Sequence, residues 1–535
     1  MATTPWSRES GCNGYGCRGV YTIGRIMSHS SAVRAAPLVA ALLLACNPAT
    51  DGSGEADAQE FDVVFRGARV IDPERRLDEV RNVGILGDVI AALTEEPLAD
   101  SLADGGILID AAGLVLAPGF VDLHAHGQGP RAHEYQARDG VTTALELEWG
   151  VPDVGSFLDS RRGRSLVNYG ATVNHGALRG LEIVPEEERA DLAAAFAAAG
   201  AEDEPLDSMR DAAQRTYYSE LPPERFPAML EHLQGGLEQG GLGIGMATQY
   251  YPGASRREIF EVFRFAGEKR ATIHTHVRSM SIDAMQEVLA NAVGTGAPLH
   301  IVHVNSMALG EIDTVLDMID GAARLGLDVT TEAYPYTAGS TSLESSIFDE
   351  GWQDRLQIDY GDLQWEETGE RLTKETFERY RREGGTVILH FMKEEWIETA
   401  LDNDWVIVAS DGMPYAPGAH PRTAGTYSRI LGRYVRERGT LDLMTALLKM
   451  SLLPADRVAT MSEQMRRKGR IQVGADADIV VFDPETVIDT ATFEGGLSFS
   501  EGIVHTMVNG VFVVRDGETV EGVSPGRPIV GRFAR

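Results

Sequence analysis

Two histidines and two glutamates have the types and spacing that metal chemistry requires. His124 and His126 occur in GFVDLHAH, and Glu146 and Glu148 occur in VTTALELE. Residues i and i+2 of a strand point to the same face, so each pair should present its two side chains on one side. Burying an unpaired carboxylate costs several kcal/mol, and burying two together costs more. The glutamate pair therefore predicts a cation nearby.

Other potential metal ligands follow later strand-like stretches. His276 ends ATIHTH, His303 lies in PLHIVHV, and Asp411 ends WVIVASD. The chain has only 13 histidines, so their occurrence at three separate strand ends is not expected by chance. Imidazole and carboxylate are ligands of zinc, which in catalytic sites keeps one open coordination position.

Eight strand-like stretches would position these side chains, and amphipathic helical stretches follow most of them. Eight strand–helix units predict an α/β fold of the (β/α)₈ TIM-barrel type, whose active sites lie at the carboxyl ends of the strands. The predicted strands are 119–126, 141–148, 166–174, 242–249, 271–276, 298–304, 327–333 and 405–411.

Short strands bounded by Gly, Asp and Pro occur at both ends of the chain body. They predict a small β-sandwich domain built from residues 61–118 plus 465–535. The barrel would occupy residues 119–464, with an insertion near 343–400.

The first sixty residues have the pattern of a processing signal rather than of a fold. Arg34 precedes AAPLVAALLLAC (35–46), which is too short to span a bilayer as a stable helix. The residues before Cys46 resemble a bacterial lipoprotein cleavage site, with 1–46 as leader, 47–60 as flexible tether and Met27 as an alternative start to Met1. An ordinary secretory signal or an uncleaved anchor is the alternative. We expect a cell-envelope location, either lipid-anchored at Cys46 or secreted into the periplasm.

Composition excludes several classes of function. The apolar fraction of 43% and charged fraction of 24% are those of a globular protein. The net charge of −32 argues against nucleic acid as a partner, because such partners require a clustered basic face. The cysteines are Cys12, Cys17 and Cys46, so the chain body has no thiolate ligand or nucleophile and no disulfide.

Several motifs together resemble the amidohydrolase superfamily of metal-dependent hydrolases. They are APGFVDLHAH, the late SDG, KGRIQVGADADIVVFDP and VNGVFVV. Four further stretches are similar to the D-aminoacylase (N-acyl-D-amino-acid deacylase) branch: HTHVRS, DVTTEAYPYTAGSTSL, SDGMPYAPGAHPRTAGTYSRILGRYVRE and DPETVIDTAT. The resemblance covers about residues 60–535.

This resemblance implies a site with one or two zinc ions. His124, His126 and Asp411 would hold the more exposed ion, and His276 and His303 the more buried one. The neighbouring histidines, His274 and His300, are expected to be polar core residues.

One further ligand is expected on the second strand, where the family uses a cysteine. Other amidohydrolases use a carboxylated lysine from the fourth strand. This chain has no cysteine after residue 46, and its only lysine between residues 127 and 275 is Lys269. We therefore predict Glu148 as that ligand, with Glu146 as the fallback.

The same resemblance implies that Asp411 is the general acid and base. It also implies which residues recognise the carboxylate of the substrate. The residues expected to bind substrate are Arg278, Tyr336, Ser342 and Arg422. One position departs from the family pattern, because Asn305 stands where a lysine usually follows the sixth-strand histidine.

The predicted function is metal-dependent hydrolysis of the amide bond of N-acyl-D-amino acids or similar small N-acyl compounds. A related enzyme acting on a cyclic amide or a dipeptide is the alternative. The alternative that is not an enzyme is a catalytically silent binding protein of the cell envelope. A deaminase on the same barrel is a further alternative, but the HPR and YPYTAGST motifs argue against it. The preferred side chain, the acyl group and the oligomeric state stay open.

Overall fold

A computed structural model of the chain describes residues 60–98 and 101–535. The predicted leader and nearly all of the predicted tether lie outside these residues. In chain order the strands are β1 (Phe61–Asp72), β2 (Leu77–Leu86), β3 (Val89–Thr94), β4 (Leu102–Asp110), β5 (Val115–Pro118), β6 (Phe120–Asp122), β7 (Val141–Val151), β8 (Asn168–Asn174), β9 (Ile244–Ala247), β10 (Ile273–His276), β11 (Leu299–Ile301), β12 (Val329–Ala333), β13 (Ala338–Ser342), β14 (Leu363–Trp365), β15 (Thr386–His390), β16 (Val406–Val408), β17 (Ile479–Phe482), β18 (Ile503–Val508), β19 (Val511–Arg515) and β20 (Glu518–Thr519).

Eight of these strands form a parallel barrel in the order β6-β7-β8-β9-β10-β11-β12-β16. The two ends of this order meet through Asp122, which accepts hydrogen bonds from the backbone N–H and the hydroxyl of Ser410. A parallel bridge between Ala125 and Gly412 lies beside that contact. Strand β7 is buried along its whole length and continues past Glu148 to Val151, beyond the predicted end. The predicted fold class is confirmed.

Helices follow the barrel strands and cover their outer face. The α-helices are α1 (Pro130–Arg138), α2 (Val154–Arg161), α3 (His175–Ile183), α4 (Arg189–Gly200), α5 (Pro205–Gln214), α6 (Phe226–Glu238), α7 (Arg256–Lys269), α8 (Ile282–Thr295), α9 (Val304–Ala308), α10 (Ile312–Arg324), α11 (Trp352–Leu356), α12 (Lys374–Glu383), α13 (Glu394–Asp402), α14 (Arg422–Arg429), α15 (Leu443–Leu447) and α16 (Leu453–Ala459). Two π-helical stretches, Ile430–Glu437 and Leu448–Leu452, continue α14 and α15.

A nine-stranded sheet combines strands from both ends of the described chain. Its order is β20-β19-β18-β17-β5-β1-β2-β3, with β4 beside β1. The antiparallel pair β17 and β5, for example Val481 opposite Leu116, joins the two ends. The exact domain boundaries expected from the sequence stay a prediction.

A separate three-stranded sheet, β13-β15-β14, lies between β12 and β16 in the chain. It has its own apolar core, in which the rings of Trp365 and Tyr380 stack with centroids 4.2 Å apart. The segment between β8 and β9 is helical and includes α5. Within residues 60–98 and 101–535, no helix has the length and apolar character needed to cross a bilayer.

Candidate metal centre

Six predicted ligands converge at the carboxyl ends of the barrel strands. We call these six residues the metal centre: His124, His126, Glu148, His276, His303 and Asp411. Each is at most 7% exposed. His303 and Asp411 have positive φ angles of 30° and 52°, which is an unfavourable conformation for non-glycine residues and persists only where the surroundings fix it. The local backbone is thus held in the geometry that aims these two side chains inward.

The first half of the metal centre contains His124 and His126. Their Nε2 atoms lie 3.1 Å apart, and each is 3.2–3.3 Å from Glu148 Oε2 and 3.3–3.4 Å from Asp411 Oδ1. The Nδ1–H of His124 donates to Glu332 (2.6 Å), and that of His126 donates to Glu146 (2.7 Å).

In the metal-binding tautomer, with the proton on Nδ1, each imidazole turns a lone pair at Nε2 toward the other and toward two carboxylate oxygens. Four electron-rich atoms facing one another in a buried space need a cation between them. Donor set and arrangement fit a zinc ion bound by imidazole and carboxylate. His124, His126 and Asp411 lie close enough together to share one ion.

The second half of the metal centre is arranged around the other oxygen of Glu148. Glu148 Oε1 lies 2.8 Å from His276 Nδ1 and 3.1 Å from His303 Nε2. The other ring nitrogens have their own partners, Gln249 Oε1 at 2.7 Å from His276 and Ser306 Oγ at 3.0 Å from His303. Because these contacts use the ring N–H groups, lone pairs again face the carboxylate. Glu148 thus spans both halves, as a ligand shared by two ions would.

Glu146, the fallback ligand, occupies a different position. One of its oxygens accepts from His126, and the other accepts from the backbone N–H groups of Trp149 and Gly150 at 3.2 and 3.3 Å. Such a carboxylate fixes the orientation and the tautomer of a ligating histidine. The geometry therefore favours Glu148 over Glu146 as the ligand.

Glu332 is a buried carboxylate that sequence reasoning missed. It lies in β12 and joins His124 to His300, which is 2.9 Å away, so His300 is a polar core residue that supports the metal centre. The signal was present, because DVTTEA carries a carboxylate inside a buried strand just as VTTALELE does. Gln249 and Ser306 gave no comparable signal, since Gln249 lies in a 3₁₀ turn after β9 and Ser306 in the short helix α9 after β11.

The charges of the metal centre favour an added cation. Burial would lower the pKa of His126, but Glu146, Asp411 and Glu148 raise it well above its ordinary value. Burial would raise the pKa of Glu148, but His124 and the other imidazoles hold it well below its usual range. The field that draws protons to these imidazoles also draws a divalent cation.

A cavity opens over the metal centre. Its wall carries Ser342 and Arg422, both predicted to bind substrate, together with Tyr334 and apolar side chains such as Leu206 and Phe391. Arg422 is 1% exposed, and its Nη1 lies 2.9 Å from Asp411 Oδ2. A buried guanidinium beside the metal centre can bind a carboxylate through two parallel hydrogen bonds.

Comparison with known proteins identifies the family. Residues 108–514 match the model of an amidohydrolase family. The chain is 32% identical to N-acyl-D-glutamate deacylase of Alcaligenes xylosoxydans xylosoxydans over 85% of this chain and 94% of that protein. The chain belongs to the amidohydrolase family. Its predicted place in the D-aminoacylase branch is confirmed by a second relative, D-aminoacylase of the same organism, which is 30% identical over 85% of this chain and 95% of that protein.

Solved structures agree with this assignment. N-acyl-D-glutamate deacylase from Bordetella bronchiseptica, complexed with zinc and a phosphonate inhibitor, superposes on this amidohydrolase with a TM-score of 0.73. The identity is 26%, over 88% of this chain and 100% of that one. A D-aminoacylase with a binuclear metal centre gives a TM-score of 0.72 at 27% identity, with 88% and 100% covered.

Two of the residues predicted to bind substrate do not line the cavity of this amidohydrolase. The guanidinium of Arg278 forms hydrogen bonds with Glu287 and the Ala254 carbonyl. The hydroxyl of Tyr336 donates to Asp489 at 3.3 Å, and Tyr334 faces the cavity in its place. Which of Tyr334 and Tyr336 faces the cavity depends on where β12 ends, and the sequence alone does not fix that point. The substrate-binding roles of Arg278 and Tyr336 stay predictions.

Asn305 is buried beside the cavity and does not line it. Its amide donates to the Tyr334 carbonyl at 3.1 Å. The positive charge that a lysine would bring to this position is therefore missing, and the amide stabilises the loop after β12 instead.

Proposed function

We propose that this chain is a zinc-dependent amidohydrolase that cleaves the amide bond of N-acyl-D-amino acids or similar small N-acyl compounds. The observation that carries the proposal is the metal centre, in which imidazole lone pairs and carboxylate oxygens face one another below a cavity. The names of the relatives, N-acyl-D-glutamate deacylase and D-aminoacylase, support the substrate class.

The six residues of the metal centre would hold one or two zinc ions. A bound zinc ion supplies a Lewis acid that polarises a carbonyl oxygen and makes water more acidic. Asp411 would move the proton, and its position supports this role: one of its oxygens faces His124 and His126 while the other contacts Arg422. Burial would raise the pKa of Asp411, but Arg422 and His124 hold it below its usual value. Asp411 therefore starts as a base and, once protonated, can return the proton to the leaving nitrogen.

Arg422 is the residue that we propose for the substrate carboxylate. Its Nε has no hydrogen-bond partner among the described residues. Leaving a buried guanidinium donor unpaired is costly, and a ligand carboxylate would remove that cost. The Ser342 hydroxyl also lacks a partner in the described part of the chain and can donate to the same ligand.

Amine release from paired N-acetyl-D- and N-acetyl-L-amino acids tests the proposal, with the full chain loaded with zinc. Turnover confined to the D series supports it, and Asp411→Asn is the matched inactive control. Absence of turnover in both series, with zinc still bound, would contradict it and direct attention to cyclic amides and dipeptides.

We also propose that the chain is lipid-anchored to the cell envelope through Cys46. The support is the short apolar stretch that precedes Cys46, which lies outside the described residues. Incorporation of labelled palmitate, together with release of the Cys46→Ser variant from the membrane fraction, would support the proposal. An unlabelled chain that fractionates with soluble periplasmic proteins would indicate a secretory signal instead.

A further inference from the structure

The cavity wall contains a second arginine that no step above uses. Arg210 lies on α5, in the helical segment between β8 and β9, one turn after Leu206, and both side chains line the cavity. Residues i and i+4 of a helix share a face, so α5 turns this face toward the metal centre's cavity. Among the described residues that line it, Arg210 and Arg422 are the two with a guanidinium.

Arg210 is largely buried and incompletely paired. Its side chain is 13% exposed, and its Nε is buried with no hydrogen-bond partner in the described residues. Nη2 donates to Asp207 at 2.9 Å, but the Asp207 side chain is 61% exposed. Because such a carboxylate is well hydrated, this ion pair offsets little of the cost of burying the guanidinium. The unpaired edge of Arg210 needs an anionic acceptor.

Neighbouring groups make this part of the wall a polar subsite with apolar sides. Ser342 and Tyr250 line the main cavity and also a smaller adjoining cavity, and Arg210 lines both. The Ser342 hydroxyl has no partner in the described residues, whereas the Tyr250 hydroxyl is bonded to Thr341 at 3.0 Å. Met280 and Ile347 supply apolar surface beside them, which suits the methylene groups of a short acidic chain.

We propose that the substrate carries a second carboxylate, which Arg210 binds while Arg422 binds the first. This inference rests on the proposed function and names its substrate class as N-acyl amino acids with two acidic groups. The second carboxylate has two possible sources, an acidic amino-acid side chain or an acidic acyl group. A guanidinium binds either one through the same bidentate geometry.

The net charge of the chain makes this local cation important. At −32 the chain repels a dianion over most of its surface. A substrate with two carboxylates is therefore bound only where local positive charge outweighs that field. Loss of Arg210 should weaken binding of the dianion and leave a monoanion nearly unaffected.

Two pairs of substrates, tested on the full chain loaded with zinc, separate the two sources. N-acetyl-D-glutamate is compared with N-acetyl-D-glutamine, and N-succinyl-D-leucine with N-butyryl-D-leucine. The second compound of each pair, here called the neutral partner, keeps the α-carboxylate but has an uncharged group in place of the second carboxylate. We expect one acid to exceed its neutral partner by at least about tenfold in kcat/KM, since a hydrogen bond to a charged group contributes that much. The pair that shows the preference identifies the source.

Arg210→Met then tests the residue. For the preferred acid, we expect kcat/KM to fall about 10- to 100-fold, mainly through KM, because the contact is made equally in the ground and transition states. The neutral partner should change less than about threefold on the same scale. Arg210→Lys should retain part of the preference for the acid over its neutral partner. Far-ultraviolet circular dichroism of both variants verifies that they fold. Arg215→Met is the matched control, because Arg215 is 55% exposed and pairs with Glu188 away from the cavity.

Equal turnover of each acid and its neutral partner would overturn the inference while leaving the proposed function intact. So would an Arg210→Met variant that slows all four substrates equally. Absence of turnover for all four and for N-acetyl-D-leucine would overturn the proposed function, and this inference with it.

Discussion

The protein contains two buried polar clusters that use similar groups in opposite ways. One is the metal centre. The other, which we call the lysine cluster, consists of Lys468, Asp476, Asp478, Asn168 and Asn509, and joins the barrel to the nine-stranded sheet. In the lysine cluster every contact pairs a donor with an acceptor, such as Lys468 Nζ with Asp478 at 2.6 Å and Asp476 at 3.0 Å.

Asp478 shows how complete that pairing is. One of its oxygens also accepts from the Asn168 amide at 3.0 Å, and the other accepts from the backbone N–H of Asn509 at 2.7 Å. The metal centre is different, because imidazole lone pairs and carboxylate oxygens face one another there. A buried cluster that satisfies itself stabilises the fold, whereas a cluster of mutually facing acceptors requires a ligand.

Among variants that keep their zinc, removing the proton carrier of the metal centre should have the largest effect on kcat. We expect Asp411→Asn to lower kcat by about 10²- to 10⁴-fold, because positioned proton transfer contributes that much. Steady-state amine release gives the rate, and thermal unfolding verifies the fold. A variant that retains more than a tenth of wild-type kcat would mean that another group moves the proton.

Breaking the lysine cluster should affect stability instead of chemistry. We expect Lys468→Met to lower the free energy of unfolding by about 3–5 kcal/mol, since it leaves buried Asp478 without a cation and Asp476 with only the half-exposed Arg467. Denaturant titration measures the loss, and the zinc content of the folded protein should not change. If zinc content falls with stability, the two clusters are coupled and the comparison between them fails.

Much of this contrast could be predicted from the sequence. The barrel and five of the six residues of the metal centre follow from histidines and an aspartate at the ends of apolar strands. Glu148 followed from charge placed inside a buried strand together with the family resemblance, which implies a further ligand on the second barrel strand. Glu332 had the same signal and was overlooked, because no second carboxylate or histidine stands beside it in VTTEA.

The residues that line the cavity over the metal centre could be predicted only in part. Arg278 and Arg422 are both arginines that follow barrel strands, yet Arg278 is paired with Glu287 on α8. That partner depends on how a helix packs against a loop, which local sequence does not determine. Arg210 lies on α5, in the helical segment between β8 and β9, and tertiary packing alone decides which face of α5 lies toward the cavity.

Comparing Glu148 with Glu146 sharpens the distinction between a ligand and its support. Glu148→Gln should eliminate zinc-dependent activity and most bound zinc, because both halves of the metal centre lose their shared carboxylate. Glu146→Gln should weaken zinc affinity by about 10- to 100-fold, as expected for a group that orients a ligand. Competition with a chelator measures both. The reverse order would place the ligand two residues earlier in β7.

Acidification should have the smallest graded effect. Neighbouring carboxylates raise the pKa of His126 well above its ordinary value, so protons compete with zinc from a higher pH than usual. Zinc affinity should therefore begin to fall at a pH above the normal imidazole range and continue to fall as the pH decreases through that range. The expected slope is about tenfold per pH unit for each displaced proton. Calorimetry in buffers of different ionisation enthalpy would detect the released protons. Affinity independent of pH would contradict ligation by these histidines.

The most direct test of the central claim is an anomalous difference map from crystals of the zinc-loaded protein. We predict zinc between the Nε2 atoms of His124 and His126, with Glu148 and Asp411 as oxygen ligands at about 2.0–2.2 Å. A second ion, where present, should lie between the other Glu148 oxygen, His276 and His303. Zinc bound elsewhere, or bound by Glu146 without Glu148, would contradict the account.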